Sequence, residues 1–337
     1  MIISVKTSQG HYDIVLERGL LEKAGQLIDL NRRVLVVTDS GVPKEYCETV
    51  AKQCQNATVF TFKEGEQSKN IEVYSEILKA LVENSFTRTD CVVAVGGGVV
   101  GDLSGFAAAT FMRGIDFYNI PTTVLSQVDS SIGGKTAIDF MGLKNIVGAF
   151  YPPKKVLIDP NTLKTLDKRQ ISNGLAEAVK MAATNSKELF ELFENEDALE
   201  IIDTVIEKAL RIKKAVVEED EHEAGLRKVL NFGHTLAHAV ESVNALENYC
   251  HGECVSLGML PMCSESVRER LAPVLKKLEL PTVLSADADE IVEACRHDKK
   301  AAGDKITVVF VPEIGKFELK KIPFAQYEKM IRKVLSK

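Results

Sequence analysis

The chain has 337 residues, a length typical of two domains. Hydrophobic residues make up 45% and charged residues 27%, which is the composition of a folded globular protein rather than a disordered one. The net charge of −6 and the absence of Trp argue against general binding to nucleic acid or to an anionic membrane. An anionic ligand would therefore have to be held by a local cluster of cations.

The first half of the chain alternates short β-branched runs with helical patterns. Residues 2–5 and 12–16 flank Gly10 and predict a hairpin, and residues 67–84 carry helical periodicity. Near-continuous Val-rich strands that alternate with helices predict a mostly parallel sheet covered on both faces. Five further runs predict strands: 33–38, 57–62, 91–95, 117–120 and 155–158.

The second half has a different pattern, with long helical periods and a single hairpin at 306–311 and 316–322. We place the domain boundary near residue 165. The predicted fold class is an α/β N-terminal domain over residues 1–165 and a mainly α-helical C-terminal domain over residues 166–337. Four stretches are predicted to be helical: 167–193, 198–217, 229–246 and 254–271.

Cysteine usage and apolar content indicate the compartment. Seven dispersed cysteines, an odd number, are typical of reduced thiols rather than of a disulfide framework. The N-terminal residues lack the pattern of a secretion signal. The most apolar stretch, 91–112, contains Asp102 and five glycines and is a poor membrane span. We expect a soluble, cytoplasmic protein.

A glycine-rich turn follows the predicted strand 91–95. It runs from Gly96 to Asp102 as GGGVVGD and opens an apolar helical pattern. Glycines let a backbone approach a pyrophosphate, and the N-terminal helix dipole favours its charge. The spacing differs from G-x-G-x-x-G, so a tight turn that packs glycine against the sheet is an alternative. Asp39, after an earlier strand, suits either a ribose hydroxyl or a helix cap.

A group of histidines and an acid has the composition of a metal site. His234 and His238 share one face of a helix, His251 follows 17 residues after His234, and Glu177 lies on a mostly apolar helix upstream. Two imidazoles, one carboxylate and an open position make a catalytic zinc set. Spacing alone does not select the three ligands. Two thiols beside His251 are rival ligands: Cys250 and Cys254.

Several cations lie in glycine-rich or helical surroundings and together suit a phosphate or carboxylate substrate. Each one alone is more typical of a solvated surface. Lys180 is the exception, because its neighbours along the chain are apolar. The candidate cations are Lys135, Lys144, Lys180, Lys213, Arg227, Lys299 and Lys300.

Seven ordered sequence blocks resemble the 3-dehydroquinate synthase family over about residues 33–315. Two positions depart from the family pattern: Ser68 replaces a tyrosine-like residue, and Glu64 replaces an aspartate. The blocks are EGEQSK at 64–69, GGGVVGD at 96–102, PTT at 121–123, VDSSIGGKTA at 128–137, GLKN at 142–145, NFGHT at 231–235 and HGE at 251–253.

The resemblance implies an NAD-binding N-terminal domain, a C-terminal domain that binds zinc or cobalt together with a sugar-phosphate substrate, and a homodimer. The implied metal ligands are Glu177, His234 and His251. The implied cofactor-binding residues are Asp39, Glu66, Lys69, Gly97, Gly98, Val99, Asp102, Thr122, Thr123 and Thr165. The implied substrate and catalytic residues are Asp129, Lys135, Lys144, Asn145, Lys180, Lys213, Arg227, Asn231 and His238, with one of Lys299 and Lys300. Arg113 resembles an arginine that family members contribute to the neighbouring subunit's site.

The implied reaction converts 3-deoxy-D-arabino-heptulosonate 7-phosphate into 3-dehydroquinate and phosphate. It combines transient oxidation by NAD, elimination of phosphate, return of the hydride and an intramolecular aldol closure. Two alternatives remain open from the sequence. One is a related sugar-phosphate cyclase such as 2-deoxy-scyllo-inosose synthase. The other is a metal-dependent alcohol dehydrogenase similar to glycerol dehydrogenase.

Overall fold

The computed structural model describes residues 1–8, 10–243, 249–284, 288–297 and 305–335. The chain divides into two compact units, Met1–Leu166 and Asp167–Lys337. The predictions for Lys299 and Lys300 lie outside the described residues. Within the described ranges, none of the helices has both the length and the hydropathy that a membrane crossing requires. The seven cysteines, all of them described, form no disulfide.

The first unit is an α/β structure. Its described strands are β1 Ile2–Thr7, β2 Gly10–Leu16, β3 Arg33–Asp39, β4 Asn56–Phe62, β5 Cys91–Gly96, β6 Asp116–Pro121, β7 Lys135–Phe140, β8 Leu143–Phe150 and β9 Lys155–Ile158. Its described α-helices are α1 Ala24–Leu27, α2 Lys44–Ala51, α3 Ile71–Glu83 and α4 Gly98–Thr110.

Seven of these strands form one sheet in the order β1-β2-β9-β6-β5-β3-β4. All neighbours pair in parallel except β1 and β2, which form the predicted antiparallel hairpin. Alternate residues of β3 belong to two separate hydrophobic clusters. Leu35 and Val37 belong to the cluster that contains Ile77 of α3. Val34 and Val36 belong to the cluster that contains Val50 of α2. The prediction of a mostly parallel sheet covered on both faces is confirmed.

One hairpin of this unit was not predicted from its sequence pattern. Strands β7 and β8 pair in antiparallel orientation, with Lys135 opposite Phe150. Seven of the eight residues of β8 are exposed, so the strand lacks the alternation of apolar and polar residues that marks a half-buried strand. Glycines and lysines nearby make the stretch resemble a loop.

The second unit is mainly helical. Its described α-helices are α5 Lys168–Asn185, α6 Lys187–Asn195, α7 Ile202–Glu219, α8 His234–Val243, α9 His251–Met259, α10 Glu265–Lys277, α11 Ala288–His297 and α12 Phe324–Leu335. The predicted hairpin is formed by β10 Lys305–Glu313 and β11 Lys316–Pro323.

Three predicted helices are corrected by the structure. The helix predicted over 167–193 breaks at Ser186, whose hydroxyl accepts a hydrogen bond from Leu189 N and caps α6. The helix predicted over 254–271 is interrupted after α9, and Ser264 caps α10 in the same way. The helix predicted over 229–246 starts later, because a 3₁₀ turn at Leu226–Asn231 precedes α8. Apolar periodicity continues across these breaks and conceals them.

Candidate functional site

The ten predicted cofactor residues share one location in the first unit. They lie shortly after the carboxyl ends of five adjacent parallel strands, β9, β6, β5, β3 and β4. This edge is where open parallel sheets bind their ligands. Thr165 follows β9, Thr122 and Thr123 follow β6, Gly97, Gly98, Val99 and Asp102 follow β5, Asp39 ends β3, and Glu66 and Lys69 follow β4.

The glycine turn after β5 has a packing role at Gly96, and its geometry is compatible with the predicted anion site. A Cβ atom on Gly96 would lie 2.5 Å from Val100 Cγ2, so this glycine is required for packing. Gly97 is the N-cap of α4 and offers no capping side chain, so the first N–H groups of the helix are available to an anion. Thr122 N donates to Gly96 O at 2.9 Å and fixes the next strand end beside the turn.

Lys69 connects predicted cofactor and substrate residues of the first unit. Its Nζ lies 2.5 Å from Asp102 Oδ2, 2.5 Å from Asn145 Oδ1 and 3.8 Å from Glu66 Oε1. Burial would lower the pKa of Lys69, but the carboxylates of Asp102 and Glu66, together with Asp139, outweigh it and raise the pKa. The lysine is therefore a buried cation held between two of the predicted sites.

Asp39 and Thr165 make local contacts at the same edge. Asp39 Oδ1 accepts a hydrogen bond from Gly41 N at 2.9 Å, while Pro43 is the N-cap of α2, so Asp39 stabilises a turn rather than capping that helix. Burial raises the pKa of its carboxyl. Thr165 Oγ1 lies 2.9 Å from the hydroxyl of Tyr46.

The predicted metal ligands converge in the second unit. Glu177 lies on α5, His234 is the first residue of α8 and His251 is the first residue of α9. One ligand atom from each lies within 4.8 Å of the others. Glu177 Oε1 is 3.2 Å from His251 Nε2 and 3.7 Å from His234 Nε2. The spacing of the sequence left this choice open, and the fold brings together the three residues that the family resemblance implied.

Glu177 is fully buried, yet it keeps its charge. Burial would raise the pKa of Glu177, but the ammonium of Lys180, which contacts Oε2, and the two imidazoles hold the pKa well below its usual range. Burial and Lys180 lower the pKa of His234 to about 3, so this imidazole is neutral. Neither Glu177 oxygen accepts a hydrogen bond of ordinary geometry.

The outer nitrogens of both imidazoles have defined partners. His251 Nδ1 lies 2.7 Å from Glu241 Oε1, and His234 Nδ1 lies 3.3 Å from Phe232 O. Sequence reasoning missed Glu241. Its signal was present, because Glu241 follows His234 by seven residues and so lies on the same face of α8.

His238 and the two rival thiols lie outside the cluster of three. The His238 ring is exposed and centred 5.6 Å from the His234 ring. Cys250 is the N-cap of α9, and Cys254 is buried within that helix. Among the described residues, the candidate metal cluster contains neither thiol.

Three predicted cations of the second unit are buried, which excludes the solvated-surface interpretation for them. Lys180, Lys213 and Arg227 are 1%, 5% and 2% exposed. Arg227 Nη1 donates to the carbonyl of Glu221 at 2.5 Å, and Arg227 N donates to Asp220 Oδ2 at 2.9 Å.

Asp220 organises the turn that leads to Arg227. It also accepts hydrogen bonds from Ala224 N at 2.8 Å and Gly225 N at 2.7 Å, and these backbone donors lower its pKa. Asn231, predicted to bind substrate, is exposed and donates from Nδ2 to Glu223 Oε1 at 2.5 Å.

The remaining predicted substrate residues lie in the first unit. Lys135, Lys144 and Asn145 are exposed on the β7–β8 hairpin, and Asp129 lies in a π-helical turn at Ser126–Ser130. Such turns are frequent at functional sites. Arg113 has φ of +70°, a left-handed conformation that non-glycine residues seldom adopt. Contacts between a substrate and these five residues of the first unit stay a prediction.

The fold and the site together define a two-unit protein. Its first unit has a parallel sheet of the kind that binds nucleotides at the carboxyl ends of its strands, and its second unit has a cluster of two histidines and one carboxylate. A crystal structure of 2-deoxy-scyllo-inosose synthase complexed with carbaglucose-6-phosphate, NAD+ and Co2+ superimposes with a TM-score of 0.90 at 25% identity, covering 99% of this chain and 100% of that one. A 2-epi-5-epi-valiolone synthase from Streptomyces hygroscopicus subsp. jinggangensis 5008, with NAD+ and Zn2+ bound, has a TM-score of 0.87 at 28% identity and 96% coverage of both chains.

Sequence comparison is more specific than the fold. Models of the N-terminal and C-terminal regions of 3-dehydroquinate synthase match residues 59–173 and 174–301. A curated relative from Streptococcus thermophilus (strain CNRZ 1066), named 3-dehydroquinate synthase, is 40% identical over 99% of this chain and 100% of its own length. The chain belongs to the 3-dehydroquinate synthase family.

Proposed function

We propose that this protein is a 3-dehydroquinate synthase, a carbon–oxygen lyase that uses NAD and a divalent metal ion. It converts 3-deoxy-D-arabino-heptulosonate 7-phosphate into 3-dehydroquinate and phosphate. The observation that carries this proposal is the convergence of Glu177, His234 and His251 within 4.8 Å. A family relative at 40% identity over the full length supports the particular reaction.

The cluster of Glu177, His234 and His251 fits a divalent ion. Both Glu177 oxygens are buried without a hydrogen-bond donor of ordinary geometry, and both imidazoles turn Nε2 towards Oε1. Zinc takes such nitrogen and oxygen ligands at about 2.0–2.2 Å and keeps an open position in catalytic sites. Zinc or cobalt bound here supplies a Lewis acid that polarises the substrate hydroxyl.

The sheet edge of the first unit fits NAD. The N–H groups at the start of α4, beside Gly97 and Gly98, bind the pyrophosphate, and Asp39 accepts hydrogen bonds from a ribose. Thr122, Thr123 and Thr165 surround the same edge. Bound NAD supplies the hydride acceptor, and the chain holds it in place through both redox steps.

The cations of the chain bind the two acidic groups of the substrate. The candidate donors of the first unit are Lys135, Lys144 and Asn145. The candidate donors of the second unit are Lys180, Lys213, Arg227, Asn231 and His238. Charge-assisted hydrogen bonds to phosphate and carboxylate hold the substrate through elimination and ring closure.

The protein acts as a homodimer in which Arg113 contributes to the site of the neighbouring subunit. The left-handed backbone at Arg113 supports a functional role, because strain of this kind persists where the surroundings enforce it. A cytoplasmic location is supported by seven cysteines that form no disulfide.

The test is the stoichiometry of the cofactor. With the heptulosonate phosphate in excess over NAD, we expect complete release of phosphate, formation of 3-dehydroquinate and no lasting rise in NADH absorbance. Equimolar NADH from glycerol or another simple alcohol, without phosphate release, would instead establish a dehydrogenase. Turnover of glucose 6-phosphate but not of the heptulosonate phosphate would establish a different cyclase.

A further inference from the structure

We propose that Glu241 is a positioning residue for the metal site, because its carboxylate holds His251 in the tautomer and orientation that present Nε2 to the ion. This inference rests on the proposed function, since it assumes that Glu177, His234 and His251 bind a metal.

The contact between Glu241 and His251 fixes the position of a proton. A neutral imidazole carries one N–H, and a carboxylate acceptor beside Nδ1 keeps the proton on that nitrogen. Glu241 Oε1 is 2.7 Å from Nδ1, a distance typical of a charge-assisted hydrogen bond. Nε2, 3.2 Å from Glu177 Oε1, is then the nitrogen left to bind an ion.

The two histidines differ in how much they need such a partner. The side chain of His234 is 13% exposed, and Phe232 O, 3.3 Å from its Nδ1, comes from the preceding turn of its own chain segment. The side chain of His251 is 33% exposed, so fewer neighbours restrict its ring. The Glu241 carboxylate, a stronger acceptor than the Phe232 carbonyl, therefore contacts His251, the less restricted of the two rings.

Burial makes Glu241 a rigid support. Its side chain is only 5% exposed, on the face of α8 that also carries His234 two turns earlier. One helix thus provides a ligand and the residue that orients the ligand of the next helix. Carboxylate partners of this kind also make the imidazole a better ligand, and their loss typically weakens metal binding 10–100-fold.

The experiment measures metal affinity rather than turnover. Metal-free wild-type, E241A and E241Q proteins are titrated with Zn2+ against a competing chelator and with Co2+ by visible absorption. We expect E241A to bind about 10–100-fold more weakly. E241Q should fall between E241A and wild type, because its amide oxygen still accepts from Nδ1–H while the negative charge is lost.

E253Q is the matched control. Glu253 is also a mostly buried carboxylate next to His251 in sequence, but it pairs with Arg169 and Cys250 N and contacts neither imidazole of the cluster in the described structure. E253Q should keep the metal affinity of the wild type even if it is less stable. Nitrogen NMR of the zinc-loaded proteins should show a strongly hydrogen-bonded Nδ1–H of His251 in wild type and a weakened hydrogen bond at that Nδ1–H in E241A, with His234 unchanged.

Wild-type affinity and an unchanged His251 Nδ1–H signal in E241A would overturn the inference. If E241A does not fold, wild-type metal affinity in E241Q would overturn it, because the loss of the negative charge alone should weaken binding. Failure of the wild-type protein to bind one ion per chain is a different outcome, because it would contradict the proposed metal site and with it the proposed function.

Discussion

The ammonium group of Lys69 lies 2.5 Å from Oδ1 of Asn145, 76 residues further along the chain. Lys69 follows the carboxyl end of β4, among the predicted cofactor residues, while Asn145 lies on β8 among the predicted substrate residues. Asp102 Oδ2 lies 2.5 Å from the same ammonium. The first unit therefore links residues predicted to bind cofactor and residues predicted to bind substrate through one buried cation.

Replacing Lys69 with Met should weaken NAD binding and destabilise the first unit. The substitution keeps much of the side-chain volume but leaves Asp102 and Asn145 without their shared donor. Loss of a hydrogen bond to a charged group costs about 1–3 kcal/mol of unfolding free energy. Denaturant unfolding and NAD titration measure the two effects. K79M, at an exposed lysine of α3, is the control and should change neither. Wild-type NAD affinity in K69M would contradict a role at the cofactor site.

Most strands and turns of the first unit, the β7–β8 hairpin excepted, were predictable because local chemistry defines them. The strand predicted over 155–158 has the same bounds in the structure, and the glycine block after β5 opens a helix as its composition indicates. Helix ends in the second unit were less predictable. Ser186 and Ser264 are good N-caps, but the apolar pattern on either side continues past them.

The candidate site was predictable only in part. Spacing identified an acid and three histidines but could not select the ligands, because α5, α8 and α9 meet only in the fold. Glu241 was missed for the same reason: its position on α8 is visible in the sequence, but its contact with His251 is a tertiary one. Burial of Arg227 likewise depends on the turn that Asp220 organises.

Replacing Glu177 with Gln should lower metal occupancy sharply. The change keeps the shape of the side chain and removes the only carboxylate in the cluster of Glu177, His234 and His251. It also leaves Lys180 beside the imidazoles without its counter-ion. Elemental analysis of the purified variant measures occupancy. H238A is the control, since His238 lies outside the cluster, and it should keep its metal while turnover falls. A fully metallated and fully active E177Q protein would show that the ligand assignment is wrong.

Acid stability should depend on Glu253. Its carboxylate receives hydrogen bonds from Arg169 Nε at 2.7 Å and Nη2 at 2.8 Å. Burial would raise the pKa of Glu253, but Arg169 and Cys250 N outweigh it and lower the pKa in the folded state below the reference value of 4.5. The stabilisation is therefore present at neutral pH, above the unfolded pKa, and is lost as the pH falls through the lowered folded pKa.

The corresponding measurement is the unfolding free energy of wild type and of E253Q, obtained from thermal unfolding at each pH from 7 to 3. The difference between them should be largest near neutral pH, on the order of 1 kcal/mol of unfolding free energy, and should shrink in acid. E48Q provides a control, because Glu48 pairs with Lys44 in solvent. A difference that grows as the pH falls would contradict the sign of this pKa shift.

Complementation tests whether Arg113 acts across a dimer. R113A and K135A subunits are each expected to be inactive. In a mixed dimer, one site combines an intact Lys135 with the neighbour's intact Arg113, so random mixing should restore about one quarter of wild-type activity. The control mixes wild type with the double variant R113A/K135A. If Arg113 acts in trans, these mixed dimers have no complete site. Verified mixed dimers of the single variants without activity would place Arg113 in its own subunit's site or outside both.

Lys135 and Arg227 should differ in stability although both are predicted to bind substrate. Lys135 is exposed on β7, so K135A should change the unfolding free energy by no more than about 0.5 kcal/mol. Arg227 is 2% exposed and donates to Glu221 O, so R227A should cost about 1–3 kcal/mol as well as activity.

Kinetics then separate substrate binding from folding for these two cations. Loss of one charge-assisted hydrogen bond to phosphate or carboxylate should lower kcat/KM by about 10–100-fold in the folded fraction of either variant. R227K keeps the charge but loses the planar fork of the guanidinium, so it should recover part of the stability and little of kcat/KM. Normal kcat/KM in folded R227A, with only its melting temperature lowered, would make Arg227 a structural residue of the turn formed by Asp220.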